Sequence, residues 1–577
     1  MPDPLAPTKT VPSIPAEDNA ATVEPTALNS VVAVGDGGLG TATIALPAAE
    51  AVAAETGQQV IGRTARAAVT WISTALYTVV TLAVAFVTTP LLLKYLGEER
   101  LGAYRAASEW IGYVSLIDLG ITAALGVLVL RARTIQSKKE TVAVIRGGLL
   151  VLTVVALVTA APAIGLAMVM PRLVPVAVGL QQELIVSTLF IASLVLFLPF
   201  QMSRLILEAE QRGYRVSMAY LGQAVVAAVL SVVLAQAGLG LVAQSLALIV
   251  GTAVATILCL IPTWRWYVAQ PRAADKDDVS AKGFNARGLW RLSWPLALSN
   301  VGIRLNGMTD SIVVGYMLGP IAVFHLFVTQ RMVSLFGSQV NSLSNASWAA
   351  LASLRMTGQQ NAYVSRILEL TELTVGLGVA LTGTVAASNR EFVFLWVGSG
   401  NYGGDLLSYL TAATSILSGV AILYGYSLDS AGETAKRIPV SIAGAVGNLF
   451  VSIALVKYLG LPGVLLGTVI ASSLSDVWFC PLQVSRLFGV PGFQIAWSAA
   501  RGFLRALPWT VVTAIGVRVF PSTDWRTFVI RSAIIGLLSL AYAWQILLRQ
   551  DDRVRWKTRI ALLFSGLKST NTGQPRD

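Results

Sequence analysis

The chain has 577 residues, of which 55% are hydrophobic and only 12% charged, with a net charge of +12 and a mean hydropathy of +0.68. An ordinary soluble domain carries about 25% charged residues, so a soluble enzyme or binding domain is excluded for the bulk of the chain. Two cysteines (Cys259, Cys480) and one histidine (His325) exclude a disulfide scaffold, a Cys/His zinc cluster and a relay of several histidines.

Residues 1–62 are rich in Ala, Pro, Thr and Gly, with scattered acids and almost no bases. No basic segment precedes an apolar core there, so a disordered tail is expected rather than a signal peptide. Apolar runs then follow one another at 69–93, 105–130, 147–170, 184–203, 216–236, 239–262, 293–318, 321–347, 364–388, 406–427, 438–457, 462–483, 503–520 and 528–548. Each is about 20 residues, the length that crosses a hydrocarbon core of about 30 Å. The pattern predicts an all-α polytopic membrane protein of about fourteen transmembrane helices. Bases collect in every other joint, as in 131–146, 204–215 and 265–291, and again in the C-terminal tail. The positive-inside rule then places both termini in the cytoplasm and accounts for the net charge without a nucleic-acid partner.

The charged stretch 263–290 splits the first six spans from the next six. Residues 63–262 form an N-lobe and 291–485 a C-lobe. Residues 486–550 hold two further helices, and 551–577 are a cytoplasmic tail. The lobes resemble each other: Leu96-Gly97 matches Leu318-Gly319, and Ala237–Val242 matches Leu459–Val464 in nearly the same register. Each lobe has six spans, so the repeats are parallel. Internal repeats of this kind are common in secondary transporters, whose path runs between them.

Polar residues form stripes along several spans. Ser293, Asn300, Arg304 and Ser311 share one helix face, as do Arg331, Ser334, Ser338, Asn341 and Asn345. The first span repeats the design with Thr70, Thr74, Tyr77, Thr81 and Thr88. Ser and Thr are common glue between spans. An arginine at membrane depth costs roughly 3 kcal/mol or more, so the stripes with arginine point to a wet cavity. Glu109, Asp118 and Asp310 also lie in spans, and Glu369 and Glu372 share a face near an expected cytoplasmic end. Each acid is read either as the counter-charge of an arginine or as a site for H⁺ or Na⁺ coupling. No Walker loop or nucleophile–His–acid set is present, so the chain reads as a non-enzyme with no metal or cofactor.

Three segments carry a family resemblance: Thr89-Pro90-Leu91-Leu92-Leu93-Lys94-Tyr95-Leu96-Gly97, Leu101-Gly102-Ala103-Tyr104 and Leu116-Ile117-Asp118-Leu119-Gly120-Ile121. Asp310–Gly319, Gly432–Lys436, Asn448 and Gly463 with Gly467-Thr468 agree with them. Residues 65–550 resemble the polysaccharide (O-antigen/exopolysaccharide) flippases of the multidrug/oligosaccharidyl-lipid/polysaccharide exporter superfamily. The pattern departs at His325-Leu326-Phe327 and in the long N-terminal tail. The resemblance implies a V-shaped pair of six-helix lobes with alternating access. The cargo would be an undecaprenyl-pyrophosphate-linked oligosaccharide, moved from the inner to the outer leaflet of a bacterial plasma (inner) membrane. A polysaccharide polymerase and export machinery would be its partners. Arg304 and Arg331 would meet the pyrophosphate, with Asn300, Ser311, Ser338, Asn341, Tyr77 and Thr81 near the sugars. A lipid II-type flippase and a cation-coupled multidrug exporter are the alternatives within the superfamily. A membrane glycosyltransferase or polymerase is the alternative outside it, but the large soluble loop such an enzyme would be expected to carry is not obvious.

Overall fold

A computed structural model describes residues 57–118, 120–135, 137–268, 286–431 and 433–547, with Arg553. Among them, the side chains of 57–68, 71, 286, 292, 295–308, 349 and 547 are not described. The expectations for both tails, for the charge run of the linker and for the side chains of Asn300 and Arg304 therefore lie outside the described residues. Arg66–Asp577 forms one compact unit.

The described residues are helical, with no strand. In chain order the helices are α1 (Gly57–Val114), α2 (Ile121–Thr134), α3 (Lys138–Leu173), α4 (Gln181–Ser193), α5 (Gln201–Ala209), α6 (Gly213–Gln236), α7 (Val242–Val268) and α8 (Ala286–Met317). They continue with α9 (Pro320–Met356), α10 (Gln360–Val397), α11 (Asp405–Asp429), α12 (Thr434–Leu459), α13 (Leu461–Leu474), α14 (Asp476–Phe488), α15 (Gly492–Val519) and α16 (Trp525–Tyr542). Twelve of the described helical segments are long and apolar enough to cross a membrane. One of them, Ile72–Asp118, is 47 residues long and turns at Gly97, so it supplies two arms. The polar α8 is not among the twelve but has ample length at 32 residues. The fourteen expected spans thus all have a helix, and the chain is a multi-pass membrane protein.

The repeat shows in the backbone. Gly97 has φ 79° and ψ 170°, and its counterpart Gly319 has φ 86° and ψ 174°. Side-chain-bearing residues rarely adopt φ in this range. Both glycines therefore turn the chain sharply into the next helix without a loop. Helix starts elsewhere use ordinary caps. Ser137 accepts the Glu140 N–H at 3.1 Å, and Asp524 accepts the Thr527 N–H at 2.8 Å. Asp524 lies outside the spans, and these Thr527 hydrogen bonds hold its carboxyl below the usual range.

The two halves share one core at the end that carries the base-poor joints. Ala103, Ala106, Ala107 and Ile111 of α1 pack there with Val313 and Val314 of α8 and with Val323 and Leu326 of α9. At the base-rich end the cores separate. One joins Leu125, Ile145, Met202, Ile206 and Trp266, with Leu289 of α8 as its one buried residue from the second half. The other joins Tyr363, Leu370, Tyr424, Val484 and Ala506. The shared end is held without slack. A Cβ on Gly102 would stand 1.7 Å from the Pro320 carbonyl oxygen. Tyr113 and Thr309 exchange a hydroxyl hydrogen bond at 2.7 Å, and the Trp396 indole N–H donates to the Phe86 carbonyl at 2.8 Å. His325 Nε2 lies 3.3 Å from Glu98 Oε2.

The last two spans are attached to α10, the most enclosed candidate span. Arg505 of α15 pairs with Glu372, and Arg531 of α16 pairs with Glu391. Glu369 pairs with Arg366 at 2.7 Å. Glu369 and Glu372 are buried, and each is paired with an arginine. Their burial follows from α15, which covers that face of α10.

The Gly102 seam yields a stability test. Gly102→Ala should destabilise by about 1–3 kcal/mol, because backbone across the seam must move. Gly165→Ala, where the new methyl meets nothing within 4 Å, should be neutral or stabilising. Thermal unfolding of the two purified variants compares them directly.

Candidate functional site

At the shared core, α1 and α9 bring two arginines to one aromatic ring. The Arg105 guanidinium lies 5.3 Å from the centre of the Phe327 ring, and that of Arg331 lies 5.7 Å from it. The quadrupole of a phenyl face attracts each cation. Arg331 and Phe327 are four apart on α9, so the helix itself sets that contact. Glu109, four residues after Arg105, is buried and takes Arg105 at 2.7 Å. The Arg105 side chain is 48% exposed, so its other donors remain open to a ligand. No carboxylate pairs with Arg331 among the described residues. Two guanidiniums and one carboxylate leave a net positive centre where the halves meet, which suits a polyanion.

Below Arg331 the α9 stripe is polar and exposed. Ser334, Ser338, Ser342 and Asn345 are exposed, recurring at helical spacing on one face. Ser338 and Ser342 donate to carbonyls of their own helix. Asn341 lies on the flank and faces Gly419 of α11, and its side-chain oxygen is buried without a hydrogen-bond donor among the described residues. Ser311 is half-buried on α8. On α1, Tyr77 packs against Tyr220 with ring centres 6.4 Å apart, and the Thr81 hydroxyl is buried without a partner among the described residues.

The acids divide by partner. Glu109 balances Arg105, as one of the two readings expected. Asp118 accepts from the Thr122 hydroxyl at 3.0 Å and backbone N–H at 3.3 Å, at the break between α1 and α2. Asp310 accepts from the Thr468 hydroxyl at 3.0 Å. Thr468 also lies 3.1 Å from the Asn448 side-chain oxygen, and Ser452 bonds Asn448 and the Val464 carbonyl, each at 3.0 Å. This oxygen-rich cluster joins α8, α12 and α13.

The polar stripes do not single out Arg105, although its i,i+4 spacing to Glu109 is there to be read in the sequence. Phe327 stands within the stretch that departs from the flippase pattern. A second feature not legible in sequence is a cavity of about 760 Å³ between α9, α10 and α16. Its lining is almost wholly apolar, with Phe336, Val340, Leu381, Phe392, Leu537 and Leu540 prominent.

Fold and site together define a multi-pass helical membrane protein of two six-span halves with a cationic centre. A profile described as "Polysaccharide biosynthesis protein" matches residues 68–357. The chain belongs to that family. It is 22% identical over 491 residues to the uncharacterized membrane protein EpsK of Bacillus subtilis (strain 168), covering 81% of this chain and 92% of that protein. Among solved structures, the lipid II flippase MurJ in an inward closed conformation superposes with a TM-score of 0.62 at 15% identity, over 82% of this chain and 98% of MurJ. An outward-facing multidrug resistance MATE family transporter of the MOP superfamily gives 0.50 at 13% identity, over 77% and 96%. These likenesses establish the fold.

The Arg105–Glu109 pair predicts an anion response. Glu109→Gln should tighten binding of inorganic pyrophosphate to the purified protein by roughly three- to tenfold, because an internal competitor is removed. Arg105→Ala should weaken it, and calorimetric titration reads both.

Proposed function

We propose that the chain is an alternating-access flippase that moves undecaprenyl-pyrophosphate-linked oligosaccharide units from the inner to the outer leaflet of a bacterial plasma membrane, for polysaccharide biosynthesis. The observation that carries this reading is the Arg105–Phe327–Arg331 centre at the meeting of the two halves. A pyrophosphate bears charge that such a centre can bind by charge-assisted hydrogen bonds. The exposed Ser and Asn face of α9 offers partners to sugar hydroxyls. The apolar cavity beside α16 offers a place for the lipid tail while the polar head crosses. Family membership supports a saccharide cargo over peptidoglycan precursor or cationic drugs.

In this reading the base-rich joints face the cytoplasm and the shared core closes the outer side. The lobes part there to release cargo. A polymerase acting on the delivered units is the natural partner. Asp310, held by a hydroxyl rather than by a described base, is the residue proposed to bind the coupling H⁺ or Na⁺.

Transport in proteoliposomes carrying a fluorescent lipid-linked oligosaccharide tests the proposal. Arg331→Ala and Arg105→Ala should each slow translocation by roughly 10- to 100-fold, the loss expected for one charge-assisted contact, with insertion intact. Arg331→Lys should retain part of the rate. Wild-type rates in both alanine variants, or preferential movement of lipid II, would overturn it. Asp310→Asn should abolish the response of the rate to an imposed H⁺ or Na⁺ gradient, measured in the same vesicles.

A further inference from the structure

The one histidine of the chain sits where the two halves meet. His325 lies in the first turns of α9, just after the Gly319 turn, and Glu98 lies just after the matching Gly97 turn. The repeat thus presents the two side chains to each other across the seam, with Nε2 3.3 Å from the Glu98 carboxylate. Both are partly exposed, at 23% and 38% of the side chain, so protons of the medium reach them. One helical turn beyond Glu98, the seam fits so closely that a Cβ on Gly102 would overlap the Pro320 carbonyl.

Neighbouring charged groups are engaged elsewhere. Arg100 is held by Glu183 at 3.0 Å, and Glu99 accepts the Ala177 N–H at 2.8 Å. Lys94 stands by the Tyr95 ring, and Arg105 pairs with Glu109. From the 398–404 joint, whose Gly403 packs near the His325 carbonyl, Asp405 accepts the Tyr402 hydroxyl at 2.8 Å. On α10, Glu391 pairs with Arg531, and Arg390 stands over Phe394. Glu98 is the carboxylate placed to answer a charge on His325.

We propose that Glu98 and His325 form a proton-responsive latch between the two halves at the base-poor end. When the imidazole takes a proton from the medium, both ring nitrogens become donors, and Nε2–H to carboxylate becomes a charge-assisted hydrogen bond. The neutral ring makes a weaker one. The latch is therefore strong while the ring carries the proton and weakens when the ring gives it up. Acid outside would hold the halves closed, and neutral pH would ease their opening. The device rests on the alternating-access reading, but it concerns the separation of the halves and not the cargo.

The experiment places spin labels on cysteines introduced at Leu239, on the joint after α6, and at Tyr458, in the last turn of α12, both exposed. The full chain is reconstituted in lipid, with buried Cys259 and Cys480 in place, and pulsed-dipolar distances are recorded from pH 5 to 8.5. The wild type should shift its closed-to-open ratio by about two- to fivefold, the range of a partly exposed ion pair, with the short distance favoured in acid. His325→Gln and Glu98→Gln should each remove that shift, and His325→Lys should keep the short distance at every pH. A pH shift that survives in His325→Gln, or a wild type that shows none, overturns the latch. A chain that opens with pH yet moves no lipid-linked sugar overturns the proposed function and leaves the latch standing.

Discussion

A charge carried into a bilayer must find a counter-charge, a polarisable ring or water, and in this protein that requirement organises the helices. An isolated buried ion costs several kcal/mol, far more than a helix–helix contact returns. The pairs Arg505–Glu372 and Arg531–Glu391 accordingly fasten the last two spans to α10. Arg366–Glu369 satisfies the start of the same helix. Around Glu210, three arginines (Arg133, Arg212 and Arg265) gather at the base-rich end of the first half. A second positive surplus is the centre made by Arg105 and Arg331, where the two halves meet. There one carboxylate and one aromatic ring serve two guanidiniums, and positive charge is left over.

That surplus lies directly beneath the contact between the halves. On the α1 side the contact is built largely from alanines and a glycine, so backbones approach closely. Small residues give close van der Waals packing between spans. Among the described residues, polar links across it include a hydroxyl pair, an indole to a carbonyl and an imidazole to a carboxylate. Under the proposed function, a seam of this kind would hold closed and still open with a modest change in charge.

Much of this architecture was legible in the sequence. Length and apolarity marked the spans, and charge alternation ordered them. The paired glycines marked the repeat, since Gly97 and Gly319 turn the chain at conformations other residues avoid. The site was only half legible. Arg331 stood out because its helix face is polar throughout. Arg105 did not, because it lies near a helix end, where a charged residue attracts no notice. Glu369 and Glu372 shared a face near an expected cytoplasmic end, and only the packing of α15 shows them covered. Asp310 was open to two readings, counter-charge or ion-coupling site, and its described hydroxyl partner, Thr468, is 158 residues away.

The sequence by itself determined that this is a helical, multi-pass membrane protein with a doubled six-span plan, because apolar run length and joint charge are local properties. Tertiary structure decided which charges cancel and which remain. Pairing across helices depends on rotation and depth, which a linear pattern of residues does not encode. It also decided that Arg105 joins Arg331 around Phe327, that the two halves meet at the base-poor end, and that the one histidine faces a glutamate across that meeting.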